Sequence, residues 1–336
     1  MNTGLKLQKG INLGGWLSQY HTFDHDHFST FIQDADIARI ADWGMDHVRL
    51  PVDYPILEEK QPAGDFTITG FAYLDRCLAW CQKYNLKLLI DLHKAPGYVF
   101  DCWKEASLFN DPALSQRFLH LWTTLTEHFH GVENLAFELL NEVMLPDSAP
   151  WNLLVGEVIS AIHAMDPARC IMLGSNHHNK PDQLQYLELY EDERILYTFH
   201  YYHPMVVTHQ HAYWVPVLEN LEHAVGYPGP YPDIDYFGKE AIGKTMDRCF
   251  LKAALQPALD FMEKTGKTLY CGEFGVIDCA PMATRINWTR DMLSLFSEHG
   301  IGWAVWSYKA MDFGLVDRRG EVVNEALVQM ISQRQA

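Results

Sequence analysis

Eight short apolar runs recur along this chain, most of them followed by a stretch of helical spacing, and that alternation leaves few architectures open. The runs are KGINLG (9–14), DHVRLP (46–51), LKLLIDLH (86–93), NLAFELLN (134–141), CIMLGS (170–175), ILYTFHYY (195–202), TLYCGEFG (268–275) and IGWAVWSY (301–308). They lack the period-two alternation of a half-exposed strand, so both faces are expected to be covered, as in a parallel sheet. Helical patterns fall between them at Asp34 to Trp43 (closed by Gly44), Phe71 to Tyr84, Pro112 to Phe129, Trp151 to Met165, Lys244 to Lys264, Met282 to His299 and Glu325 to Arg334. With no low-complexity linker or break in composition, the pattern predicts an α/β fold of one domain over residues 1–336, a (β/α)8 TIM barrel. A doubly wound nucleotide-binding sheet is disfavoured. Gly10, Gly14 and Gly15 have the wrong spacing for GxGxxG, and there is no P-loop.

Charge and composition narrow the partners. A net charge of −17 argues against nucleic acid and anionic membrane, which need basic patches, and fits a neutral substrate. No run of about 18 apolar residues is present, so no membrane span is expected. The opening MNTGLKLQKGINLGG lacks the charged and apolar regions of a signal peptide. A cytoplasmic location is therefore expected, or a secreted one if a leader has been removed. Seven cysteines in no framework spacing point to reduced thiols, and Cys77 and Cys81, four apart on a helix, read as a buried pair. Oligomeric state is left open.

In a parallel barrel, chemistry sits at the C-terminal strand ends. Glu142 and Glu273 each follow an apolar run there, a pairing suited to glycosidic cleavage by an acid/base and a nucleophile. Other runs end in Arg49, His93, Asn141, His200, Tyr202 and Trp306. Taken singly, a strand-end arginine is often an ion-pair partner, and a lone histidine or tryptophan in an apolar run usually packs. Their joint placement makes a functional site the stronger reading. Glu138, earlier on the same run as Glu142, is expected to be structural.

These motifs resemble glycoside hydrolase family 5, the cellulase-like (β/α)8 enzymes. The resemblance rests on NLGGWL (12–17), VRLPVDY (48–54), DLHKAPG (91–97), LLNEV (139–143), FHYYHP (199–204), GEFG (272–275) and WSYK (306–309), in the family's order over nearly the whole chain. It implies that Glu142 is the acid/base and Glu273 the nucleophile of a retaining hydrolase, with carboxyl groups roughly 5 Å apart. Asn141 would hold the sugar 2-hydroxyl, while Arg49 and Tyr202 would hold Glu273. His93 and His200 would be neutral hydrogen-bonding groups, and Trp306 a sugar platform. Glu142 would need a pKa raised relative to Glu273. Val143 departs from the family's usual proline and should shift the loop slightly. The implied substrate is a β-linked glucan or gluco-oligosaccharide, with no cofactor and no metal. DLHKAPG is close to the exo-β-1,3-glucanase-like branch, and LLNE suits endo-β-1,4-glucanases equally.

Weaker signals complete the reading. Trp16, Trp103, Trp214 and Tyr98 are candidates for stacking outer sugars, whereas Trp43, Trp80 and Trp151 lie in helical patterns and should pack. Residues 203–243 and 94–110 are long loops expected to wall the cleft. His21, His25 and His27 with Asp24 and Asp26 are dense enough to consider a metal, but they lack a recognised ligand spacing. Asp91 and His93 are also of metal-ligand type, and Lys94 lies beyond the strand. Three alternatives stay open: a β-mannanase of the same family, a metal-dependent barrel hydrolase, and a non-catalytic carbohydrate-binding barrel.

Overall fold

A computed structural model describes residues 5–58, 68–100, 106–234 and 241–332. Eight parallel strands close into a barrel: β1 Lys9–Asn12, β2 His47–Asp53, β3 Lys87–Lys94, β4 Leu135–Glu138, β5 Cys170–Gly174, β6 Ile195–Tyr201, β7 Leu269–Phe274 and β8 Gly302–Val305. Each pairs with its neighbours in sequence, and β8 closes onto β1. Strand residues are almost all buried, as the continuous apolar runs required.

The strands are shorter than the apolar runs, and this matters at the site. β4 stops at Glu138, so Asn141 and Glu142 sit past the strand in irregular chain. The segment still follows the barrel wall, because the N–H groups of Leu139 and Asn141 donate to the carbonyls of Met172 (3.3 Å) and Leu92 (3.1 Å). Tyr202 and Trp306 likewise stand one residue beyond their strands.

The principal helices are α1 His25–Thr30, α2 Asp34–Asp42, α3 Ile68–Lys83, α4 Pro112–His128, α5 Ala149–Met165, α6 Arg248–Thr265, α7 Met282–His299 and α8 Glu325–Ser332. α4 starts where Asp111 accepts the Ala113 N–H at 2.9 Å and Pro112 takes the first turn. α6 starts at Arg248 rather than Lys244. Thr245–Met246 pair instead with Gly229–Pro230 in a two-stranded ribbon, and Asp247 then caps the helix through the Phe250 N–H. Between β5 and β6 the usual long helix is replaced by a short turn at Asn176–Asn179 and a 3-10 stretch at Pro181–Tyr186. Among the described residues, no helix is long and apolar enough to cross a membrane.

Close approach demands glycine at several positions, two of which bear on the barrel. A Cβ on Gly14 would lie 2.8 Å from the Trp306 ring, so this glycine makes room for that side chain. A Cβ on Gly302 would meet the Leu7 carbonyl oxygen at 2.0 Å, and that atom is backbone. Gly302→Ala is therefore expected to destabilise the protein by about 2–3 kcal/mol, as an overpacked β8 is pushed off the chain leading into β1. Urea titration checks this, and an unchanged midpoint would refute it.

Candidate active site

The barrel mouth is organised around Arg49 on β2, which is fully buried. Its Nε and Nη2 donate to the two oxygens of Glu138 at 2.7 and 2.9 Å. Its Nη1 donates to Glu273 Oε1 at 2.8 Å and Asn12 Oδ1 at 2.9 Å, and Nη2 also reaches Asn141 Oδ1 at 2.8 Å. Asp91 lies 3.0 Å from the same nitrogen. One guanidinium thus orients three carboxylates and two amides, a use of its planar fork that lysine could not reproduce. Burial works against the charge, but Asp91, Glu138 and Glu273 more than offset it, and Arg49 stays protonated. Glu138 is structural as expected: it holds Arg49 and is fully buried.

Glu273 meets Arg49 on one oxygen and the Tyr202 hydroxyl on the other, at 3.0 Å. Burial, then Glu273 itself, raises the Tyr202 pKa well above its ordinary value, so the phenol keeps its proton and donates. The carboxylate is aimed by an irregularity in the sheet. Phe199 pairs with Cys271 and His200 with Glu273, which leaves Gly272 as an extra residue on β7. Such a bulge turns the following side chain into the mouth. A second register shift, between Val52 and Asp53, leaves His93 unpaired on β3 at the same rim.

Asn141 spends its amide oxygen on Arg49, which fixes the amide nitrogen as the group free to donate towards a sugar hydroxyl. His93 Nδ1 lies 2.7 Å from Asp91, and its ring stacks on Trp306 at 5.8 Å and 5°. Burial lowers the His93 pKa to about 4, consistent with the expected neutral group, and raises that of Asp91 to about 6.

Glu142 departs from expectation. Burial favours its neutral form, yet hydrogen bonds from His178 and His200 outweigh this and hold the carboxyl well below its ordinary range. His200 Nδ1 lies 2.8 Å from Glu142 Oε1, and His178 Nδ1 lies 3.3 Å from Oε2. His200 was expected to be neutral. Burial does push it that way, but Glu273 and Glu142 raise its pKa overall. The two histidines and Glu142 thus favour one another's charged forms. One oxygen of Glu142 and one of Glu273 lie within 4.8 Å of each other, near the spacing of double displacement and short of the 6.5–9.5 Å of inversion.

Eight of the expected residues meet here: Arg49, His93, Asn141, Glu142, His200, Tyr202, Glu273 and Trp306. The outer aromatics divide. Trp214 is 43% exposed and sits edge-on to His209, which in turn touches Tyr202, so it remains available to an outer sugar. Trp16 is a correction. It is fully buried, stacks on Trp80 at 6.3 Å and donates to the Phe28 carbonyl, so it presents no face to a ligand. Tyr98 is also buried, its hydroxyl donating to the Glu142 carbonyl, so it braces the backbone of Glu142 and presents no face to a sugar. Trp103 lies outside the described residues. Trp151 packs as expected, with its Nε1 on Gly174 O at 2.9 Å.

The histidine-rich segment does not converge. His25 Nδ1 pairs with the Tyr73 hydroxyl and His27 Nε2 with Gly15 O, each at 2.8 Å, while His21 is exposed. Among the described residues, the one group whose ligand-type atoms come within 4.8 Å of one another is Glu142, His200 and Glu273. The Arg49 guanidinium already sits on Glu273 there, so a second cation would meet repulsion. Lys94 forms an ion pair with Asp53 at 3.3 Å.

Sequence reading missed two contributors. Asn12 accepts from Arg49 and donates to Gly272 O at 3.0 Å, tying β1 to the bulge. His178 follows the fifth run by three residues, and its position just beyond a strand end was the available signal.

The pattern of the family described as Cellulase (glycosyl hydrolase family 5) matches residues 8–312. The chain belongs to glycosyl hydrolase family 5. Endoglucanase C of Acetivibrio thermocellus is 44% identical over 340 aligned residues, covering 98% of this chain and 99% of that protein. Cellodextrinase A of Ruminococcus flavefaciens is 37% identical over 298, covering 87% and 83%. A solved structure of Thermotoga maritima Cel5A in complex with cellobiose has a TM-score of 0.80 at 25% identity, covering 97% of each chain.

Proposed function

We propose that this family 5 enzyme is a retaining β-glucan hydrolase that cleaves β-1,4-linked gluco-oligosaccharides, with Glu273 as nucleophile and Glu142 as acid/base. The observation that carries the reading is the close Glu142–Glu273 pair, with Arg49 and Tyr202 on the nucleophile alone. In the first step Glu273 attacks the anomeric carbon while Glu142 protonates the departing oxygen. In the second, Glu142 takes a proton from water as that water displaces Glu273. Asn141 donates to the 2-hydroxyl, and Trp306 with His93 walls the sugar being cleaved.

The relatives named endoglucanase and cellodextrinase support glucan over mannan, so a mannanase is not favoured. More distant resemblance to proteins named glucan 1,3-beta-glucosidase, 25% over 215 residues in one case, gives the β-1,3 linkage less support. The Trp214 loop beside the cleft suits a short chain held at one end.

Hydrolysis of cello-, laminari- and manno-oligosaccharides, with the first product anomer read by proton NMR, tests this reading. Cello-oligosaccharides cleaved with β-anomer formed first are expected, and unaltered by a strong chelator. An α-anomer first would overturn retention. Chelator-sensitive activity would favour a metal hydrolase, and no cleavage of any member would favour a non-catalytic barrel.

A further inference from the structure

As the assigned acid/base, Glu142 must carry a proton when it meets the leaving oxygen, yet the histidines beside it favour its ionised form. Two histidines touch it, on different oxygens. His200 sits on Oε1, is buried, and lies 3.7 Å from Glu273 Oε2 as well. A proton there is shared with the nucleophile's negative charge, and giving it up would leave that charge less screened. His178 sits on Oε2, the oxygen away from this contact, and its side chain is 44% exposed. It can exchange protons with solvent.

The chain holds His178 there by a specific device. His177, His178 and Asn179 all take left-handed backbone, with φ of 51°, 60° and 57°. Non-glycine residues adopt this conformation at a cost, and three in succession need surrounding contacts to hold them. The contacts run to the segment that carries Glu142. The His178 N–H donates to Val143 O at 3.0 Å, Asn176 bonds both the N–H and the carbonyl of Leu145, and His177 Nε2 lies 3.1 Å from Leu145 O. The turn after β5 is thus bolted to the residues just after the acid/base, and it aims one imidazole at it.

We propose that His178 is a positioning residue that acts through Glu142, storing on Nδ1 the proton that Glu142 passes to the leaving oxygen and taking it back after the second step. The proposal rests on the assignment of Glu142 as acid/base. The proton balance closes over one turnover. As the sugar displaces water, a proton moves from His178 Nδ1 to Glu142 Oε2, then to the glycosidic oxygen as its bond to the anomeric carbon breaks. The attacking water later gives a proton to Glu142, which returns it to His178. The charged neighbours agree with this. Glu142 raises the His178 pKa, working against burial and against Lys180 and His200. The other titratable groups facing Glu142 are Asp91 and His93 on β3, His200 on β6, Tyr202 just past it, His209 on the loop that follows, and Glu273 on β7.

The sign of the pH effect follows. A raised histidine keeps the shared proton to higher pH, so without it the basic limb of kcat/KM moves to lower pH by about 1–2 units, from the histidine range towards the carboxylic range. The variant is His178→Asn, since asparagine tolerates the left-handed backbone and offers a donor that does not titrate. His178→Gln, with a longer reach to Oε2, is the second. Both are assayed on cellotetraose and on 2,4-dinitrophenyl β-cellobioside, whose leaving group departs without a proton. On cellotetraose kcat/KM is expected to fall about tenfold or more with the limb displaced, and on the aryl substrate to stay within about twofold. An equal fall on both substrates would mean a structural role and overturn the proposal. An unchanged pH profile would do the same. A wild type inactive on both substrates would overturn the assignment of the site, and the proposal with it.

Discussion

Replacing Glu273 by alanine is expected to lower kcat by at least about 10⁴-fold, or roughly 5.5 kcal/mol of transition-state stabilisation. The large effect follows from what the carboxylate does. As the proposed nucleophile it would form the bond to the anomeric carbon, and two donors are aimed at it, Arg49 at 2.8 Å and Tyr202 at 3.0 Å. Truncation to alanine opens a space the size of a carboxylate, lined by those donors. Azide fits that space in charge and size, so it should restore part of the activity on a substrate with a good leaving group. Attack from that side inverts the centre and yields an α-glycosyl azide. The same experiment on Glu142→Ala separates the roles, because azide there acts in the second step and gives the β-product. Mass and NMR analysis of the azide adducts decides the matter. Full activity in the alanine variant, or a β-azide from it, would remove Glu273 from the nucleophile's role.

Arg49→Met is expected to cost about 3–5 kcal/mol and to lower the melting temperature by roughly 5–10 °C, besides abolishing activity. The methionine fills much of the same volume, so packing is not the main loss. What remains is Asp91, Glu138 and Glu273 facing one another around a vacated position, the first two fully buried and without their cation. Removing one partner of a buried ionic cluster is far more damaging than replacing the cluster whole. The deficit has a defined pH dependence. Burial raises the Asp91 pKa to about 6, above its unfolded value, and also raises that of Glu138. A carboxyl shifted upward by folding weighs against the native state once ionised, and this burden lifts as pH falls through the folded pKa. The gap between variant and wild type should therefore be wide near pH 7.5 and narrow near pH 5. Thermal melts at the two values test this, and a gap that widens on acidification would show that the carboxylates are not the cause.

Much of the site was legible in the chain because it is written at strand ends. His93, Tyr202 and Glu273 stand at or near the ends of runs whose apolar continuity already places them in the barrel wall, and parallel closure carries such ends to one mouth, whereas Arg49 lies mid-strand on β2 and reaches the mouth through its long side chain. The division between Glu138 and Glu142 was legible too. One lies within the strand and faces Arg49, the other follows it and faces the cleft. The fate of single aromatics was not legible, since Trp16 and Trp214 look alike in sequence. Only the packing of Trp80 and the Phe28 carbonyl against Trp16 buries it.

The electrostatic balance around Glu142 was beyond sequence altogether. Strand order and the placing of the two carboxylates depend on local apolar pattern, which the chain carries residue by residue. Where the proton rests depends on distances of about 3 Å between groups far apart in sequence: Glu142 after β4, His178 after β5, and His200 on β6 beside Glu273 on β7. A carboxyl in an apolar pocket is pushed towards its neutral form, and the same carboxyl between two imidazoles is pushed the other way. The sequence determined that an acidic pair would stand at the barrel mouth. The tertiary structure decided that Glu142 would be pushed towards its ionised form, because a left-handed turn brings a second histidine within reach.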